Sequence, residues 1–218
     1  MPTFGFSAFL KLACLNPRPS RTEIRKRLGS STGGYDFHRS LRLRIARHMV
    51  DDIPMDEVLS SVSEISRAPE QRSARNGLER LNAWRRDNPG PILSYAPVSY
   101  ESPGGLYKVG FNPDFGLNIG GQGVAIHVWN TARPDLVPRM AYAALSLIAP
   151  QYEGQNNAPD DLGVLSLPDM KLYRLSDAGR YAGLGPGLAE RLEDLMREVQ
   201  NSLDQPSGEP PEDRPNGP

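Results

Sequence analysis

The chain has 218 residues, 38% of them apolar, which suffices for one sizeable domain with its own core. A lone cysteine, Cys14, and three histidines allow no disulfide framework and no Cys/His zinc cluster, so a reducing, cytoplasmic setting is expected. The net charge of −1 hides an asymmetry: residues 1–90 hold 16 Lys and Arg against 10 Asp and Glu, and residues 91–218 hold 9 against 16.

The opening "MPTFGFSAFLKLACLNPRP" places an apolar run before a cysteine. No basic segment precedes that run, Lys11 interrupts it, and it is too short to cross a bilayer, so it reads as a short helix burying Phe6, Phe9, Leu10 and Ala13. "PSRTEIRKRL" follows as a helix capped by Ser20 with Glu23 three residues on, and stopped by Gly29. After the loop "GSSTGG", the stretch 35–50 reads as a helix with Phe37, Leu41, Ile45, His48 and Met49 on its core face, and "MDEVLSSVSEI" as another. Leu78, Leu81 and Trp84 share one face of a longer helix that ends at Asn88-Pro89-Gly90.

Beyond Pro91 the period changes from helical to alternating. "ILSYAPVSYES", "GLYKVGFNP", "FGLNI" and "VAIHVWN" read as strands, the last two joined by glycines able to take the positive φ angles of a tight hairpin. Apolar residues on both faces of "VAIHVWN" mark it as a central strand covered on both sides. "LVPRMAYAALSLIAP" is apolar nearly all round and reads as a buried helix. "APDDLGVL" reads as a loop leading to a strand around "DMKLYRLS". The last helix aligns Leu188, Leu192, Leu195, Met196, Val199 and Leu203, a face that either caps the core or joins a protein partner. The Pro-rich, acidic segment from residue 204 to 218 reads as a disordered tail.

The expected fold is therefore α/β or α+β: an Arg-rich helical region (1–90) packed on a three- to five-stranded, mostly antiparallel sheet within an α/β core (91–203). Arg21, Arg25, Lys26 and Arg27 form the tightest basic cluster, a candidate contact for nucleic acid or an acidic partner. The alternative is that the basic and acidic halves neutralise each other internally.

No GxxxxGK[ST], HExxH, GxSxG or CxxC pattern occurs, which removes the better-defined phosphate-loop, zinc-protease and hydrolase signatures. Residues 69–176 run helix, strands, hairpin, buried helix, strand, with Pro113-Asp114 ahead of the hairpin. This order resembles the αβββαβ core of the restriction-endonuclease-like (PD-(D/E)XK) nucleases. The resemblance implies a metal-dependent phosphodiesterase with Mg or Mn held by Asp114 and an acidic residue on the next strand, where a lysine two residues on stabilises the attacking water. That strand, "VAIHVWN", has neither, so the core looks catalytically degenerate. An active version would have to recruit Glu101 or Asp135 beside Asp114, with His127 as acid/base. The segments "YESPGGLYKVGFNPDFGLNIGG" and "VAIHVWNTARPDL" also resemble a family of bacterial cytoplasmic proteins to which no activity attaches. The leading expectation is a non-enzymatic binding or accessory protein without a cofactor, which contacts nucleic acid or a protein partner. The metal-dependent nuclease is the alternative.

Overall fold

The computed structural model describes residues 1–28 and 37–204. Gly29, the "GSSTGG" loop and the acidic tail beyond Asp204 lie outside the described residues. In chain order the elements begin with strand β1 (Thr3–Gly5) and helices α1 (Phe6–Cys14), α2 (Pro17–Leu28), α3 (Arg39–Met49), α4 (Met55–Ser60) and α5 (Ala68–Asp87). Strands β2 (Ile92–Leu93), β3 (Val98–Glu101), β4 (Lys108–Phe111), β5 (Phe115–Ile119) and β6 (Gln122–Trp129) follow. The chain then forms α6 (Pro138–Ile148), β7 (Asp161–Ser166), β8 (Lys171–Arg174) and α7 (Gly185–Asp204).

The mixed α/β architecture holds two sheets, one of three strands in the order β1-β4-β3 and one of five in the order β2-β5-β6-β7-β8. Most pairings are antiparallel; β1 with β4 and β6 with β7 are parallel. The sequence reading merged residues 92–102 into one strand. The chain in fact leaves the larger sheet after Leu93 and enters the smaller one at Val98. It also took "APDDLGVL" for a loop, whereas Asp161–Ser166 is a strand buried along its whole length between β6 and β8. Such a strand lacks period-two alternation because both its faces are covered. Gly120 and Gly121, at φ 61° and 87°, close the β5–β6 hairpin in two residues and set its register.

The five-stranded sheet separates two apolar clusters. Val124, Ile126 and Val128 face α3, α4 and α5 with Leu41, Ile45, Val58, Leu78, Leu81 and Trp84. Ala125 and Trp129 face the opposite way, toward α1, α6 and α7, where Phe4, Val109 and Phe111 of the smaller sheet join the cluster. Each fully buried Leu or Ile here is worth ~1.5–3 kcal/mol over an exposed one, so α6 and α7 are held mainly by this packing.

Two helical details differ from expectation. Ser20 is not a cap: α2 begins three residues earlier at Pro17, and the buried Ser20 hydroxyl donates to the Asn16 carbonyl at 3.0 Å. Glu23 instead pairs with Lys11 at 3.4 Å and Lys26 at 3.6 Å. Phe37 lies ahead of α3 and is exposed, while Arg44 on α3 is buried and donates from Nε to the Ser61 hydroxyl at 3.1 Å. A long cation thus takes a place on the inner side of α3 because the turn after α4 supplies its acceptors.

Candidate functional site

The hairpin brings two of the sequence-nominated residues together. Phe115 pairs with Ile126, and the Asp114 amide donates to the Ile126 carbonyl at 2.8 Å, so the ladder continues one step and sets Asp114 opposite His127. His127 Nδ1 lies 3.2 Å from Asp114 Oδ2, with the side chains 3% and 5% exposed. That contact falls off the N–H direction, so it counts by proximity and charge rather than as a straight hydrogen bond. Asp114 Oδ2 is anchored independently, accepting the Val128 amide at 2.7 Å.

A third member comes from the far end of the chain. Parallel pairing of β1 with β4 sets Gly5 beside Gly110, α1 starts at once with Phe6, and Ser7 Oγ sits 2.7 Å from His127 Nε2. The imidazole is gripped by Phe6 edge-on at 5.2 Å and by Phe111 at 6.3 Å between ring centroids. Ser7, His127 and Asp114 therefore line up through the ring nitrogens in the order nucleophile, base, orienting carboxylate.

Sequence reasoning did not find Ser7. The signal available was "GFSAF" at residues 5–9, a strand-to-helix passage that has the Gly-x-Ser of the GxSxG turn but Phe9 in place of its second glycine.

A cleft of about 430 Å³ opens beside this cluster, lined by Gly5, Phe6, Gly110, Asn112, Asp114 and His127 on the sheet side. Arg39, Arg42, Leu43 and Ala46 of α3 form its opposite wall. Arg39 and Arg42 thus line the same concave space as a buried imidazole, and Arg39 supplies it with a cation suited to an anion.

The other nominated residues lie elsewhere. Glu101 bridges to its cross-strand neighbour Lys108 at 3.0 Å, Asp135 is exposed in the connection before α6, and neither lines the cleft. Among the described residues no group of three or more His, Cys, Asp and Glu is placed to hold a metal ion. His48 Nδ1 is 2.8 Å from the Ile53 carbonyl, a structural contact at the end of α3.

The basic cluster of α2 is largely engaged within the molecule. Arg21 meets Glu198 of α7 at 2.6 Å, Arg25 donates to Ser202 at 3.1 Å, Lys26 pairs with Glu23, and the Arg27 guanidinium lies 5.7 Å from the Phe4 ring centroid. The apolar face of α7 is turned inward as well, with Leu188, Leu192, Leu195, Met196 and Val199 buried in the shared core and Leu203 exposed. Of the two alternatives for this face, it is the core that α7 caps.

No family model matches the chain, and no curated protein matches it. Among solved structures it is similar to one described as "Crystal structure of SSO0001", at 11% sequence identity over 87% of this chain and 95% of that one. The TM-score is 0.31, a likeness too slight to carry fold or function across. No helix among the described residues is long and apolar enough to cross a membrane.

Proposed function

We propose that the chain is a binding or accessory protein for a phosphate-bearing ligand, taken into the cleft between α3 and the β5–β6 hairpin. The observation that carries this reading is the cleft itself, with Arg39 and Arg42 facing the buried His127–Asp114 pair across about 430 Å³. Guanidinium groups match phosphate oxygens in geometry as well as charge. The Asp114 charge does not oppose such a ligand strongly, because Oδ2 is directed at the Val128 amide and the imidazole.

The likeness to a restriction-endonuclease-like core draws support from the larger sheet, where α5, β2, β5, β6, α6 and β7 follow in order with β3 and β4 of the smaller sheet inserted after β2, neighbours β2, β5 and β6 antiparallel and β7 parallel to β6. On such a core Asp114 would mark the phosphodiester site. With no carboxylate and no lysine on β6, that site would retain a phosphate without the metal ligands that hydrolysis needs.

The test is fluorescence anisotropy with 5′-phosphorylated short DNA and RNA at low and moderate salt, with and without Mg or Mn. Binding that weakens with salt and is lost in Arg39→Glu is the expected result. Binding indifferent to both salt and Arg39→Glu would defeat the proposal. Metal-dependent cleavage abolished by Asp114→Ala would establish the nuclease in its place.

A further inference from the structure

We infer that Ser7 is a nucleophile, activated by His127 and Asp114, toward carboxylic esters of phosphate-bearing molecules. The inference rests on the cleft reading above for its substrate class and on the side-chain cluster for its chemistry. Three residues from α1, the turn before β5 and the middle of β6 meet in one chain of contacts: 2.7 Å from Ser7 Oγ to His127 Nε2, then 3.2 Å from Nδ1 to Asp114 Oδ2. A purely structural serine in the first turn of a helix needs no buried imidazole, and a buried histidine needs no second acidic partner held by a separate backbone amide. Here each partner is itself fixed, His127 by the two phenylalanine rings and Asp114 by Val128. Ring orientation and tautomer are the two things a general base requires.

Placement agrees with that role. Ser7 is half-buried and next in the chain to Phe6, and Phe6, Asp114 and His127 line the cleft, so the hydroxyl sits behind the cleft wall on His127 Nε2. The first-turn amides of α1 have no intrahelical acceptor and are the backbone donors beside Ser7 for a carbonyl oxygen that gains negative charge. Arg39 and Arg42 on the opposite wall select an acyl or alcohol part that carries phosphate.

The step balances without a cofactor. Ser7 Oγ bonds to the acyl carbon as its proton passes to His127 Nε2, and that proton leaves on the alcohol oxygen as the ester bond breaks. Water, deprotonated by the same nitrogen, then releases the acid and restores Ser7.

The experiment treats the full chain with an alkyl fluorophosphonate and maps the adduct by peptide mass spectrometry. The expected result is one phosphonyl group on Ser7, formed as the Oγ–P bond replaces P–F. The adduct should be absent in Ser7→Ala and should form about a hundredfold more slowly in Asp114→Asn. Hydrolysis of the 4-nitrophenyl ester of phosphonoacetate should exceed that of 4-nitrophenyl acetate at least ~10-fold in kcat/KM, with Arg39→Ala removing the difference. Mapping on the unaltered protein does not depend on any variant folding. No adduct, or an adduct elsewhere, in protein that still binds phosphorylated ligands would overturn the inference and leave the binding reading standing. A Ser7 adduct in protein that binds none of them would uphold the nucleophile and defeat the cleft's phosphate selectivity.

Discussion

Asp114 accepts the Val128 amide and lies 3.2 Å from His127 Nδ1, from a side chain only 5% exposed. Removing it strands a buried donor, so Asp114→Ala should cost about 1–3 kcal/mol, read as a shift in urea midpoint at constant slope. Ser7 supplies the hydroxyl at the buried His127 Nε2, so Ser7→Ala should likewise cost about 1–3 kcal/mol. Asp114 and His127 were legible in the sequence because alternation along β6 and a glycine turn nearly fix their register. Ser7 was not, since it lies 120 positions from His127 and reaches it through a parallel pairing that leaves no local pattern.

At the scale of elements, α7 is tied to the turn after β3 by a buried acid. Glu193 is 4% exposed, accepts the Gly104 amide at 2.6 Å and pairs with Arg197 at 3.0 Å. Burial opposes its ionisation, but the Ser102 hydroxyl, the Gly104 amide and Arg197 outweigh it and hold the carboxyl below its ordinary value of 4.5. A depressed acid stabilises the fold above its ordinary pKa and loses that contribution as pH falls through the folded value. Glu193→Gln should therefore be less stable than the parent at pH 7, with the gap closing below about pH 4.5, as followed by thermal melts across pH. The helices α5 and α6 and the β5–β6 hairpin were readable because one periodicity governs each. The split of residues 92–101 between two sheets was not, because Ile92–Leu93 and Val98–Glu101 are both short, lie four residues apart, and are told apart by which neighbour each pairs with.

Across the whole molecule, the basic and acidic ends meet where α2 lies on α7. The Arg21–Glu198 pair there is 44% and 53% exposed and contributes little, whereas Leu192 is buried in the shared core. Arg21→Ala should shift stability by less than ~1 kcal/mol and Leu192→Ala by ~2–5 kcal/mol, measured by urea unfolding at two ionic strengths. Only the former should respond to salt. The parallel pairing of Thr3–Gly5 with Lys108–Gly110 has a consequence in time as well as in space. During synthesis at ~5–20 residues per second, β1 and the apolar face of α1 emerge roughly 5–20 s before their partner strand leaves the ribosome. Through that interval Phe4, Phe6 and Phe9 have no partner strand to cover them, so the apolar segment bearing Ser7 stays uncovered until β4 arrives.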